Sequence, residues 1–232
     1  MNEIRILPLL DIPEISSGDN LALLIINAIE KSENKIVEND VLIVTQKIVS
    51  KSEGMVRNLE KISFNDLLKE ETVKIIRKRG DLVIAQTKHG FICANAGIDK
   101  SNVESNFALL LPKDPNKSAH SIRMKLESHF QIKLAVIISD TFGRAWRKGQ
   151  VNFAIGSSGI NPIVNYIGTL DTFKNELQAT EIAIIDELAS AAELVMEKSI
   201  NVPVAIIRGV NYEASELNAS ELIRDNSEDF FL

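Results

Sequence analysis

Leu134-Ala135-Val136-Ile137-Ile138-Ser139-Asp140-Thr141 is an unbroken apolar run that ends on a serine, a carboxylate and a hydroxyl. A short apolar run without alternation reads as a strand covered on both faces, and Asp140 is expected just past its end. Val41-Leu42-Ile43-Val44 is a second run of this kind and leads into the polar, basic stretch Thr45-Gln46-Lys47-Ile48-Val49-Ser50-Lys51. Val204-Ala205-Ile206-Ile207 is a third, followed by Arg208-Gly209. Ile4 to Leu10 reads as a shorter strand at the start of the chain.

Helical spacing lies between these runs. Leu21, Leu24, Ile25, Ala28 and Ile29 share one face of a helix with Asp19 as its expected cap. A helix through Ile122 and Leu126 follows the stop at Leu109-Leu110-Leu111-Pro112, and Ala183 to Val195 reads as a buried helix. Phe64 to Arg79 also reads as one helix, closed by Gly80. Leu82–Ala85 and Phe91–Ala94 are expected to form a hairpin around Gln86-Thr87-Lys88-His89-Gly90. Strands alternating with helices predict an α/β fold, and the hairpin makes the expected sheet mixed rather than wholly parallel. With no repeat or low-complexity linker, residues 1–232 read as a single domain, with room for two lobes.

Composition narrows the function classes. Twenty-six Lys and Arg against thirty-two Asp and Glu leave a net charge of −6, the wrong sign for a general binder of nucleic acid or anionic membrane. Cys93 is the only cysteine, which excludes an internal disulfide and a cysteine-rich zinc site. No run approaches the roughly 18 apolar residues of a membrane span. The opening MNEIRILPLLDIPEI lacks the pattern of a signal peptide, so a cytoplasmic protein is expected.

Three stretches carry candidate chemistry. In Ser139-Asp140-Thr141-Phe142-Gly143-Arg144-Ala145-Trp146-Arg147-Lys148-Gly149, a carboxylate and a hydroxyl precede three cations. Such oxygens are hard ligands for Mg²⁺ or Mn²⁺, and the cations suit phosphate. The same residues also fit a charged surface turn, with Asp140 capping a helix. Asn95-Ala96-Gly97-Ile98-Asp99-Lys100-Ser101-Asn102 offers a second carboxylate, or else a turn whose polar side chains bond their own backbone. Gln46, Lys47 and Lys51 could hold phosphates, or Lys47 and Lys51 could face solvent. No Walker loop, dinucleotide fingerprint or HExxH motif is present. The three histidines are too scattered for a metal cluster, and Trp146 suits either a planar ligand or the core.

Read in order, VTQKIVSKSEG (44–54), CANAGIDKSNVE (93–104), DPNKSA (114–119), SDTFGRAWRKGQ (139–150), AIGSSGI (154–160), DELASAAELV (186–195), PVAIIRG (203–209) and SEDFF (227–231) resemble the coenzyme F420-0:γ-glutamyl ligase family. The resemblance spans nearly the whole chain. It implies a two-lobed γ-glutamyl ligase fold and a homodimer. The implied reaction adds L-glutamate to F420-0 through a γ-glutamyl amide bond, using GTP to make an acyl phosphate and releasing GDP and phosphate. Two divalent cations, Mg²⁺ or Mn²⁺, are implied, with K⁺ as a further candidate. Asp99 and Asp140 would ligate one ion; Thr141, with Glu197, would hold the second. GTP would be contacted by Asp11-Ile12-Pro13-Glu14, Gln46, Lys47, Lys51, Asn102 and the segment Met196-Glu197-Lys198-Ser199.

Lys51 and Arg144 are the candidates for further charge stabilisation beside Asp140, Arg144 on its local chemistry alone. The sequence departs from the family around Glu197, where a glycine is usual, and at Lys174-Asn175, where glycine and arginine are usual. The second departure bears on the acceptor and keeps open a ligase acting on another acceptor, such as a folate. A non-catalytic nucleotide-binding regulator is the reading from a different class, and intact Asp99, Asp140 and Thr141 argue against it.

Overall fold

A computed structural model describes residues 3–101, 105–225 and 227–230. The first third contains β1 (Arg5–Leu9), α1 (Leu21–Lys31), β2 (Val41–Thr45), α2 (Gln46–Ser52), β3 (Val56–Asn58) and α3 (Phe64–Glu71). Then come β4 (Thr72–Arg79), β5 (Leu82–Thr87), β6 (Ile92–Ala94), β7 (Phe107–Leu109) and α4 (Pro115–Phe130). β8 (Ala135–Arg144), β9 (Arg147–Ser158), β10 (Val164–Asn165), β11 (Glu181–Ile182), α5 (Ile184–Met196) and β12 (Val204–Arg208) complete the order.

The main sheet runs β1-β12-β2-β8-β9. Only β2 and β8 are parallel; the other neighbours are antiparallel, which makes the sheet mixed and the class α/β. Its apolar runs alternate between two cores. Leu42, Val44, Val136, Ile138, Val204 and Ile206 pack on the side of α1 and α4. Val41, Ile43, Ala135, Ile137, Ala205 and Ile207 pack on the side of α5. Burial on both faces explains why these strands show no polar alternation. α5 buries one face only, and Leu194 on its other side is 75% exposed. Sheets β4-β5-β6, β3-β7 and β10-β11 complete the described strands.

Three local expectations are corrected. The helix expected over 64–79 stops at Glu71, and residues 72–79 form β4, paired with β5. Thr72, Val73, Ile75 and Ile76 are β-branched and favour a pleated strand, while Gly80, at φ +59, makes the turn to Leu82 instead of closing a helix. Asn20, not Asp19, caps α1: its Oδ1 accepts from Leu23 N at 3.3 Å, and Asp19 instead accepts from Ser16 N at 2.7 Å. β8 does not end before Asp140 but continues to Arg144 as a ribbon with β9.

That continuation positions the site. β2 and β8 lie side by side up to Thr45 and Ser139; there β2 turns into α2 while β8 runs on. The carboxyl ends of two parallel strands open a crevice, the usual ligand position in an α/β sheet. No helix among the described residues is long and apolar enough to cross a membrane.

Candidate active site

The crevice is a cleft of about 890 Å³. α2 supplies Lys47 and Lys51, four residues apart and therefore on one helix face. Lys47 Nζ lies 2.9 Å from Asp99 Oδ2 and donates to Ser101 Oγ at 2.6 Å. Lys51 Nζ pairs with Glu14 Oε1 at 2.5 Å. The loop at Ile12, Pro13 and Glu14 thus closes one side of the cleft.

Asp99 is fixed by its backbone, which exchanges hydrogen bonds of 2.9 and 2.8 Å with Leu109. Its carboxylate also accepts from Ser101 N at 2.7 Å and Ser101 Oγ at 2.9 Å. The stretch is thus a self-bonded polar turn, and Asp99 within it lines the cleft. Burial opposes the charge on Asp99, but Lys47 and Ser101 outweigh it and hold the carboxyl below its usual range.

Asp140 differs. Among the described residues its carboxylate accepts one hydrogen bond, from Thr141 N at 2.8 Å, and makes no ion pair. Burial, reinforced by nearby Asp99, pushes its carboxyl up to about 7 against the opposing pull of Thr141 N, Lys47 and Lys198. Burial and Asp140 together push the neighbouring Cys93 thiol up to about 12, so Cys93 is no nucleophile at neutral pH.

Thr141 begins a polar chain absent from the sequence reading. Its Oγ1 donates to Asn152 Oδ1 at 2.6 Å, Asn152 Nδ2 donates to Glu193 Oε2 at 2.8 Å, and Lys198 Nζ reaches Thr141 Oγ1 at 2.8 Å and Glu193 Oε1 at 2.7 Å. Asn152 faces Thr141 because β9 is the partner of β8, and Glu193 comes from α5. The glycines near 143 and 149 were the available sign of a hairpin; nothing local marked Glu193.

The expected site residues separate accordingly. Ile12, Pro13, Glu14, Lys47, Lys51, Asp99, Asp140, Thr141, Met196, Glu197 and Lys198 line the cleft; Asp11, Gln46, Arg144 and Ser199 do not. Asn102 lies outside the described residues. Gln46 is fully buried, accepting from Ser50 Oγ at 2.8 Å. Arg144 folds onto the ribbon tip, where its Nη2 donates to Lys148 O at 2.7 Å. Trp146, 79% exposed at that tip, is not core. Glu197 ends α5 at φ 47, but Glu193, one turn earlier, is the carboxylate tied to Thr141 through Asn152 and Lys198. Lys174 adopts φ 67, a conformation glycine takes without strain, and the Asp171 carboxylate holds that loop through Phe173 N and Asn175 N, both at 2.8 Å.

Among the described residues no three His, Cys, Asp or Glu side chains converge as a metal cluster. The donors that do face the cleft are carboxylate, hydroxyl and amide oxygens, the set that suits hard ions such as Mg²⁺ and Mn²⁺. Five carboxylates line the cleft against three lysines. A polyphosphate entering so acidic a space needs cations with it, and Asp140, desolvated and in no direct ion pair among the described residues, is where a cation gains most.

A family model described as F420-0:Gamma-glutamyl ligase matches residues 9–209. The chain is 38% identical to the coenzyme F420:L-glutamate ligase of Methanothermobacter thermautotrophicus, over 94% of this chain and 95% of that one. It is 36% identical to the protein of the same name from Methanocaldococcus jannaschii, over 96% and 94%. The counterpart from Archaeoglobus fulgidus is 35% identical over 97% and 95%.

Proposed function

The chain belongs to the F420-0:γ-glutamyl ligase family, and on that premise we propose that it joins L-glutamate to F420-0 at the expense of GTP, working as a homodimer. One observation supports the reading: Asp140-Thr141 of β8 and the Lys47–Asp99 pair line one cleft where the parallel pairing of β2 and β8 stops, and its carboxylates could hold the cations that a polyphosphate brings.

Amide formation needs an activated carboxylate. An oxygen of the acceptor's lactyl carboxylate attacks the γ-phosphorus of GTP, the bond from the γ-phosphorus to the bridging oxygen breaks, and GDP departs. The glutamate amine, having lost its proton, then attacks the carbonyl carbon of the acyl phosphate, and phosphate leaves. Protein catalysis of phosphoryl transfer is chiefly positioning and charge neutralisation.

Asp99 and Asp140 would hold one divalent ion, and Thr141 with Asn152 and Glu193 or Glu197 a second. Such ions neutralise the phosphates and polarise the transferring group. Lys47 and Lys51 already sit on the cleft wall in ion pairs with Asp99 and Glu14. Both would exchange these carboxylates for phosphate oxygens, Asp99 being taken up in turn by the divalent ion it would ligate.

Lys51→Ala is expected to weaken GTP binding about tenfold, the loss of one charge-assisted contact. Calorimetry checks this; unchanged affinity removes Lys51 from the nucleotide site. The acceptor is tested by incubating F420-0 and tetrahydrofolate side by side with GTP, glutamate and Mn²⁺. GDP release and a glutamylated product are expected with F420-0 only, and product with tetrahydrofolate only would overturn the assignment.

A further inference from the structure

α5 presents a polar line beside its buried apolar face. Asp186, Ser190 and Glu193 recur at positions i, i+4 and i+7, one side of the helix, and each bonds β9. Asp186 Oδ1 accepts from Ala154 N at 2.8 Å. Ser190 Oγ donates to Asn152 O at 2.7 Å, and Glu193 Oε2 accepts from Asn152 Nδ2 at 2.8 Å.

The first of these bonds falls at an irregularity in the ribbon. Ile138 faces Gly156, but Ser139 faces Ala154, so Ile155 is an extra residue in β9. Beyond it Asp140 faces Phe153 and Thr141 faces Asn152. Without the extra residue the earlier register would continue, with Ala154 opposite Asp140 and Phe153 opposite Thr141. A one-residue slip turns every side chain of a strand to the other face, so the bulge decides whether Thr141 meets an amide or a phenyl ring.

We propose that Asp186 is a positioning residue for the site: by holding the Ala154 amide it fixes the bulge and keeps Asn152 opposite Thr141. Ser190 repeats the clamp one turn along. Burial pushes the Asp186 carboxyl up to about 6, so packing alone would favour an apolar side chain here. The competing explanation is a negative charge placed in the first turn of α5 to oppose the helix dipole. Replacing Asp186 with Asn separates the two, because the amide oxygen still accepts from Ala154 N but carries no charge.

Hydrogen exchange and turnover are compared for wild type, Asp186→Leu and Asp186→Asn. In Asp186→Leu, exchange is expected to quicken about tenfold in peptides covering 139–144 and 150–156, with α1 and β12 unchanged, as for local opening. Its kcat is expected to fall about 100-fold, the scale of a small misplacement of reacting groups. Asp186→Asn should restore both to near wild type. Wild-type ribbon exchange in the Leu variant, or an Asn variant as impaired as Leu, overturns the proposal. Should Asp186→Leu fail to fold, Ser190→Ala is expected to quicken the same peptides, and unaltered exchange there counts equally against it. The turnover arm rests on the ligase reading and the exchange arm does not. Ribbon loosening in a protein that ligates nothing would sink the ligase reading alone.

Discussion

Asp140→Asn is expected to remain folded and to lose about 10³-fold in GTP-dependent ligation, the scale of removing one electrostatic stabiliser from an active site. The amide keeps the shape of the carboxylate and can still accept from Thr141 N, but it offers no charge to a divalent ion. Folding should not suffer. Because burial raises the Asp140 carboxyl to about 7 in the folded chain, above its unfolded value, the proton favours the fold and ionisation opposes it. That penalty is absent below the unfolded value of about 4, grows as pH rises and is complete above about 7. Asp140→Asn removes it, so in metal-free buffer the variant should be at least as stable as wild type at pH 8, with any advantage fading toward pH 4. Thermal unfolding at the two pH values and GDP release in the presence of Mn²⁺ check both halves. A folded variant with wild-type turnover would remove Asp140 from the chemistry.

Gly156→Ala is expected to cost about 3 kcal/mol of stability, the upper range of over-packing. A methyl group there would lie 2.4 Å from Pro115 C and 2.5 Å from Pro115 O, backbone atoms at the start of α4 that cannot swing aside. α4 would have to lift from β9, opening the core on that face. Gly143→Ala is the control, since a methyl group there has nothing within 4 Å. Urea unfolding should show a lowered midpoint at similar slope for Gly156→Ala and little change for Gly143→Ala. Equal midpoints would mean that α4 does not pack on β9 as described.

The three apolar runs at 41–44, 134–138 and 204–207 were legible because burial on both faces leaves a signature within each strand. Helices α1, α4 and α5 were legible from their spacing. Legibility failed where partners decide. Thr72 to Arg79 continues a helical pattern, but its β-branched residues find β5 across the Gly80 turn. Gln46 and Lys47 are adjacent in sequence, yet successive helical residues point about 100° apart; Lys47 reaches the cleft and Gln46 the core.

The same limit governs the site. Lys47, Asp99, Asp140 and Thr141 were nameable because each follows closely on a readable apolar run. Asn152 and Glu193 reach Thr141 through the β8–β9 register and one face of α5, neither of which is local in sequence. Arg144 shows the converse, close to Asp140 in the chain but drawn to the ribbon tip by the carbonyl of Lys148.

Carboxylate activation by phosphoryl transfer in this cleft is tested most directly by isotope transfer. F420-0 labelled with ¹⁸O in both oxygens of its lactyl carboxylate is turned over with GTP, L-glutamate and Mn²⁺, and the released phosphate is weighed by mass spectrometry. Passage through an acyl phosphate moves one labelled oxygen into each phosphate, and that is the expected result. Unlabelled phosphate accompanying the glutamylated product would contradict it.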